Sequence, residues 1–201
     1  MVIIKAKGAA DCSQFIENQR DKIKSGVYTV EIEKEWIPGL GEDNLLFIAK
    51  HCKSTRRPLA ASTDTPPSVL EHLAQDSDIW VRIDVAGNTA TPANALDDLA
   101  RSESRDVRLK VVSNTSCSSE TLDYLSKSIE AGIRRGVAEH QNTSQQTLAA
   151  LAEDANPDVR ASVAGNARAS GATREILSRD AIASVRTCLL YTSTLPTKRI
   201  V

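Results

Sequence analysis

The chain has 201 residues, 41% hydrophobic and only 3% aromatic, so it can bury a core but lacks the aromatic residues that fill sandwiches of sheets. Lys and Arg total 25 against 26 Asp and Glu, and the formal net charge of -1 excludes a global electrostatic pull toward nucleic acid or an anionic membrane. No stretch approaches the ~18 apolar residues of a membrane span, and the apolar run at the start is too short for a secretory signal, which points to a cytoplasmic protein.

Residues 1–38 are aperiodic and read as an N-terminal capping segment of α/β character. VIIKA at 2–6 predicts a short strand, residues 11–24 a helix stopped at Ser25-Gly26, and VYTVEIE at 27–33 a second strand, because Tyr28, Val30 and Ile32 alternate with polar neighbours. Trp36-Ile37-Pro38-Gly39 makes the junction to the first repeat.

Residues 39–187 read as tandem repeats, degenerate over 39–64 and clear over 65–187. Val81, Val107, Ile133, Val159 and Val185 stand 26 residues apart, and Arg82, Arg108, Arg134, Arg160 and Arg186 follow them in register, with Arg56 one unit upstream. Leucine pairs three residues apart, Leu70 with Leu73, Leu96 with Leu99, Leu122 with Leu125 and Leu148 with Leu151, mark one helix per unit. Ala74, Ala100, Ser126 and Ala152 are small enough for close helix approach. A second helix carries the Val-Arg-x-x-Val step, so each unit is a helical hairpin.

Turn chemistry keeps the same period. Thr65-Pro66 and Thr91-Pro92 predict a capping hydroxyl before a first-turn proline, and Thr143 with Gln146 predicts a capping box. Asn88, Asn114 and Asn166, with His140 in the equivalent place, are expected to end the second helix in a left-handed conformation. One hairpin buries four or five apolar side chains at ~1.5–3 kcal/mol each, against ~1–2 kcal/mol of backbone entropy per ordered residue, so a lone unit does not fold and stacking is required.

The phrase L-x-x-L-A-x-D, then V-R-x-x-V-A-x-N, then T-P, most complete in LAALAEDANPDVRASVAGN at 148–166, resembles the leucine-rich repeat variant family, close to the HEAT-like group. The resemblance implies an all-α fold, a right-handed α-solenoid of 26-residue helical-hairpin repeats. Some relatives carry an iron-sulfur segment, but Cys12, Cys52, Cys117 and Cys188 do not cluster, so neither that cofactor nor any other is expected.

CLLYTS at 188–193 resembles the translation of a transposase end used in sequencing-library preparation. Residues 188–201 are therefore expected to be a non-native tail, with further repeats missing beyond Thr187.

The arginine column has two readings: a groove of six guanidinium groups for an anionic partner, or a structural ladder to carboxylates and helix-end carbonyls, with Asp76, Asp106, Asp154 and Asp158 nearby. The ladder is expected. His51 beside Cys52 suggests a nucleophile or metal pair, but adjacent helical residues diverge by about 100°; His72 and His140 stand alone. Trp80 precedes its column valine where other units have Asp106, Gly132, Asp158 and Ser184, so it is expected to be partly exposed and able to anchor a partner, as Trp36 would be if exposed.

With no reaction centre in view, the expected function is a non-enzymatic scaffold for protein-protein interaction. Residues 65–168 carry 10 basic and 15 acidic side chains, which disfavours the alternative of a HEAT-like DNA-base glycosylase or another nucleic-acid-binding solenoid. A metal-carrying repeat protein is the third alternative. The protein partner is not named by the sequence, and neither membrane nor nucleic acid is expected as one.

Overall fold

The computed structural model describes residues 2–4 and 7–193. The chain divides into two compact units, Met1–Ser116 and Cys117–Val201.

The first unit opens with strand β1 (Val2–Ile4), helices α1 (Ala9–Asn18) and α2 (Arg20–Lys24), strand β2 (Tyr28–Val30) and a 3-10 turn over Lys34–Gly39. β1 and β2 pair in parallel, Val2 with Tyr28 and Ile4 with Val30. The sequence predicts one helix over 11–24; the chain instead breaks at Gln19, so that Arg20 reaches the Asn44 amide oxygen at 2.9 Å while Ile23 enters the core. Of the predicted second strand, 27–33, Tyr28–Val30 is the part that pairs with β1, and residues 5 and 6 of the predicted first strand lie outside the described residues. Gly39 packs so closely on α1 that a Cβ there would lie 2.8 Å from that of Ala9.

Three helical hairpins complete this unit: α3 (Glu42–His51) with α4 (Lys53–Ala61), α5 (Pro67–Ala74) with α6 (Ile79–Gly87), and α7 (Ala93–Leu99) with α8 (Arg105–Ser113). Asn44, buried on α3, donates to Ser13 Oγ at 2.7 Å and to the Leu40 carbonyl at 3.2 Å, tying the N-terminal segment to the first hairpin. The second unit has three more hairpins: α9 (Ser119–Leu125) with α10 (Ala131–Glu139), α11 (Gln145–Leu151) with α12 (Pro157–Gly165), and α13 (Gly171–Ser178) with α14 (Ala183–Ser193). Residues 188–193 of the expected non-native tail continue α14, and 194–201 lie outside the described residues.

The periodic residues are the core. All the paired leucines and column valines, with Ile133, are at most 4% exposed, and Ala74, Ala100 and Ala152 are buried where helices meet. This is an α-solenoid arrangement of short hairpins, in which second helices pack on second helices within each unit and, in the first unit, first helices pack on first helices as well.

The polar columns behave differently from their sequence reading. Asn88, Asn114 and Asn166 have φ between -83° and -76° and ψ near 120°, which is extended, and no described non-glycine residue has positive φ. Each asparagine instead reaches back one repeat. The Asn88 amide donates to the carbonyls of Ala60 at 2.8 Å and Ser62 at 2.7 Å; Asn114 donates to Ala86 and Asn88, and Asn166 to Ala138 and His140. Their Oδ1 atoms accept from the N–H two residues ahead, in Ala90, Ser116 and Arg168. His140 keeps that second role, its Nδ1 accepting from Asn142 N–H at 3.0 Å.

The threonines also face backward. Thr65, Thr91 and Thr143 are buried and donate to the carbonyls of Leu59, Val85 and Val137 at 2.6–2.7 Å, closing the C-terminus of the preceding helix instead of capping the next one. The predicted Thr143 capping box is therefore replaced: Ser144 caps α11 by accepting from Thr147 N–H at 3.0 Å. Ser118 and Ser170 do the same for α9 and α13, whereas Pro66 and Pro92 hold that position without a side-chain bond. The Ser-x-x-Thr recurrence at 118, 144 and 170 is the sequence signal for these caps, and sequence reasoning missed it.

Candidate interaction surface

The six column arginines sit on second helices, each directly after the buried column residue, which is Thr55 before Arg56 and valine or isoleucine elsewhere. From Arg82 onward each directs Nη1 to the carbonyl six residues back: Asp76 for Arg82, Ser102 for Arg108, Ser128 for Arg134, Asp154 for Arg160 and Asp180 for Arg186. Arg134 then presents Nε and Nη2 to both oxygens of Asp154 at 2.6 and 2.9 Å, and Arg160 does the same to Asp180 at 2.7 and 3.1 Å. Arg56 pairs with Asp76 at 3.1 Å and donates to the carbonyls of Ala49 and Lys50. Each pair spans two adjacent hairpins, 20 residues apart in sequence. The arginine joins its own loop to the next one, which is the ladder.

These carboxylates have little solvent: Asp76, Asp154 and Asp180 side chains are 6–8% exposed. The hydrogen bonds from Arg134 hold the Asp154 carboxyl below its usual range, and those from Arg160, with the Ile182 N–H, do so for Asp180. Of the acids singled out in sequence, Asp76 and Asp154 join the ladder. Asp158 is exposed and its N–H is bonded by the Asn156 cap, and Asp106 lies on the rim of a groove beside Trp80; Asp180 belongs to the ladder and was missed.

Trp80 is 58% exposed on α6, its N–H held by Asp78 at 2.9 Å. With Ile83 it faces Leu109 of α8 across an open groove of about 490 Å³, whose rim carries Asp106, Lys110 and Ser113. Arg57 lies over the indole at 5.9 Å from its centroid and is fixed by a 2.8 Å bond to Asp84. Ile79, 36% exposed, extends the apolar surface. The positions matching Trp80 and Ile83 on α10 and α12 are Gly132, Arg135, Asp158 and Ala161, so the second unit does not repeat the patch. Trp36 is half-buried in the 3-10 turn and presents no comparable anchor.

The structure does not unite the other candidates. His51 is exposed and its ring lies against Phe47 at 4.7 Å, while Cys52 is 1% exposed in the core. Desolvation, then the charges of Lys24, Lys50 and Arg56, lower the His51 pKa; desolvation with Lys50 and Arg56 does the same for His72. Burial, reinforced by Asp11 and Cys52, pushes the Cys12 thiol up to about 11, which makes it a packing residue and a poor nucleophile. Among the described residues no three His, Cys, Asp or Glu side chains come together as a metal set.

A scan against models of known protein families finds no match, and no curated protein sequence matches. Among solved structures the chain is similar to one described as a leucine-rich repeat variant with a novel repetitive protein structural motif, with a TM-score of 0.57 and 19% identity over 92% of this chain and 86% of that one. At that identity the likeness shows the fold: this is a helical repeat of the leucine-rich repeat variant type. No helix among the described residues is long and apolar enough to cross a membrane.

Proposed function

We propose that this chain, built on the repeat fold of a leucine-rich repeat variant, is a non-enzymatic scaffold that binds another protein through the α6–α8 groove. The observation that carries the reading is a tryptophan more than half exposed beside Ile83 and Leu109 on rigid helices, the arrangement of an interface anchor. The occupant is a partner segment with an aliphatic or aromatic side chain for the groove and charges complementary to Asp106 and Lys110 at its rim. Protein is favoured over nucleic acid because acids outnumber bases over residues 65–168. In this reading residues 1–38 cap the repeats of 39–187. Three buried cysteines carried as thiols favour a reducing, cytoplasmic setting.

The test is parallel capture from host extract on the full chain and on its Trp80→Ala variant, followed by a binding titration with the purified captured protein. The expected result is a partner whose affinity falls at least about tenfold in W80A. Equal binding by both, or turnover of a substrate by the purified chain alone, overturns the reading.

A further inference from the structure

We propose that Arg82 forms a carboxylate-binding site at one of the two rungs of the arginine ladder where serine stands in place of aspartate, Ser102 after Arg82 and Ser128 after Arg108. Arg134 and Arg160 each give their Nε–Nη2 edge to an aspartate 20 residues ahead. Twenty residues after Arg82 stands Ser102. The backbone at this rung is otherwise like the rest: Arg82 Nη1 donates to the Asp76 carbonyl at 2.5 Å, so the guanidinium is held in the orientation of its column. Ser102 also keeps half of the aspartate's work. Its Oγ accepts from Ser104 N–H at 3.3 Å, as Asp154 accepts from Asn156 N–H and Asp180 from Ile182 N–H. The carboxylate alone is lost, and among the described residues no acid replaces it as an ion-pair partner of Arg82.

A pocket of about 330 Å³ opens in its place, lined by Arg82, Ser102, Gln75, Arg101, Asp98 and Glu103 among others. The half-buried, oriented guanidinium edge is a bidentate donor waiting for a planar acceptor. Its wall chooses the charge of the ligand. Asp76, also on the wall, is paired with Arg56, which leaves Arg82 and Arg101 set against Asp98 and Glu103. A phosphate dianion would bring a second negative charge toward Asp98 and Glu103, which a monocarboxylate does not. The ligand class is therefore a monocarboxylate, either a small organic acid or an acidic side chain of a polypeptide. The site lies apart from the Trp80 groove, so its failure would leave the protein-binding reading intact.

The test titrates the ¹⁵N-labelled full chain, at constant ionic strength, with propionate, with a short peptide amide carrying one glutamate, and with inorganic phosphate. The readout is the Arg82 Nε–Hε resonance, assigned by its loss in Arg82→Lys. Saturable shifts are expected with both carboxylates and are abolished in Ser102→Asp, which supplies the missing rung from the chain itself. Tighter binding of propionate identifies a small-acid site, and tighter binding of the peptide identifies a polypeptide site. A shift that does not saturate, one that survives unchanged in S102D, or phosphate binding as tight as either carboxylate overturns the proposal.

Discussion

The Asn166 amide nitrogen lies 2.7 Å from the carbonyl oxygen of Ala138, a residue 28 positions earlier and one hairpin away. With its second bond to the His140 carbonyl, this one side chain satisfies two acceptors at the end of another helix while its own oxygen holds the Arg168 N–H. Asn166→Ala leaves both carbonyls without that donor, and at ~1–3 kcal/mol per orphaned buried group the loss should reach about 2–4 kcal/mol. Urea unfolding checks it, with the midpoint falling at unchanged slope. Asn166→Asp should be no better, since an acceptor then faces two acceptors.

Acid should loosen the ladder. The folded-state pKa values of Asp154 and Asp180 are lowered relative to the unfolded chain. Their contribution is therefore present above the unfolded value of about 3.9 and is lost as pH falls through the lower folded value. Stability should be flat with respect to these groups near neutrality and decline below about pH 4. Asp154→Asn should flatten that decline and cost about 1.5–3 kcal/mol at neutral pH, because it weakens a charge-assisted pair. Denaturant midpoints across the acid range measure both effects.

Ser102→Asp should raise stability. It restores a partly buried bidentate pair with an arginine already held in place, so the entropy of ordering that side chain is largely spent. A gain of about 0.5–1.5 kcal/mol is expected, and Arg82→Gln should abolish it. The four variants of that double-mutant cycle, read by thermal unfolding, give the coupling directly.

The thiols should separate into two groups. Cys12, Cys52 and Cys117 are buried, and Cys188 is half-exposed. A thiol-reactive disulfide reagent should label Cys188 first in the native chain and the other three only on unfolding. Rapid native labelling of Cys12 would contradict its burial and its raised pKa.

The apolar half of the fold is legible in the sequence because a buried face repeats one residue type at one interval. The leucine and valine columns can be read directly, and so can the ladder role of the arginines. The polar columns mislead because capping rules look four residues along the chain, whereas the partners of Asn88, Asn114 and Asn166 lie 26 and 28 residues back. The asparagine that recurs at 88, 114 and 166 is the available sign, since a local cap accepts serine or threonine equally well. The 20-residue offset from Arg134 to Asp154, repeated from Arg160 to Asp180 and from Arg56 to Asp76, exposes the ladder partners and the serines that stand in their place at 102 and 128. The Trp80 surface is half legible: polar equivalents foretell its exposure, but the facing Leu109 emerges only once α6 and α8 lie side by side.

The backward reach of the asparagines also bears on how such a chain can change length. Each amide finds its two carbonyls only if the number of residues between them is conserved, so deleting one amino acid from an intervening loop pulls the donor off both targets. Duplicating or excising a block of 26 that carries the asparagine keeps its donor in register with a pair of carbonyls. Changes of length that keep these bonds therefore come in whole modules.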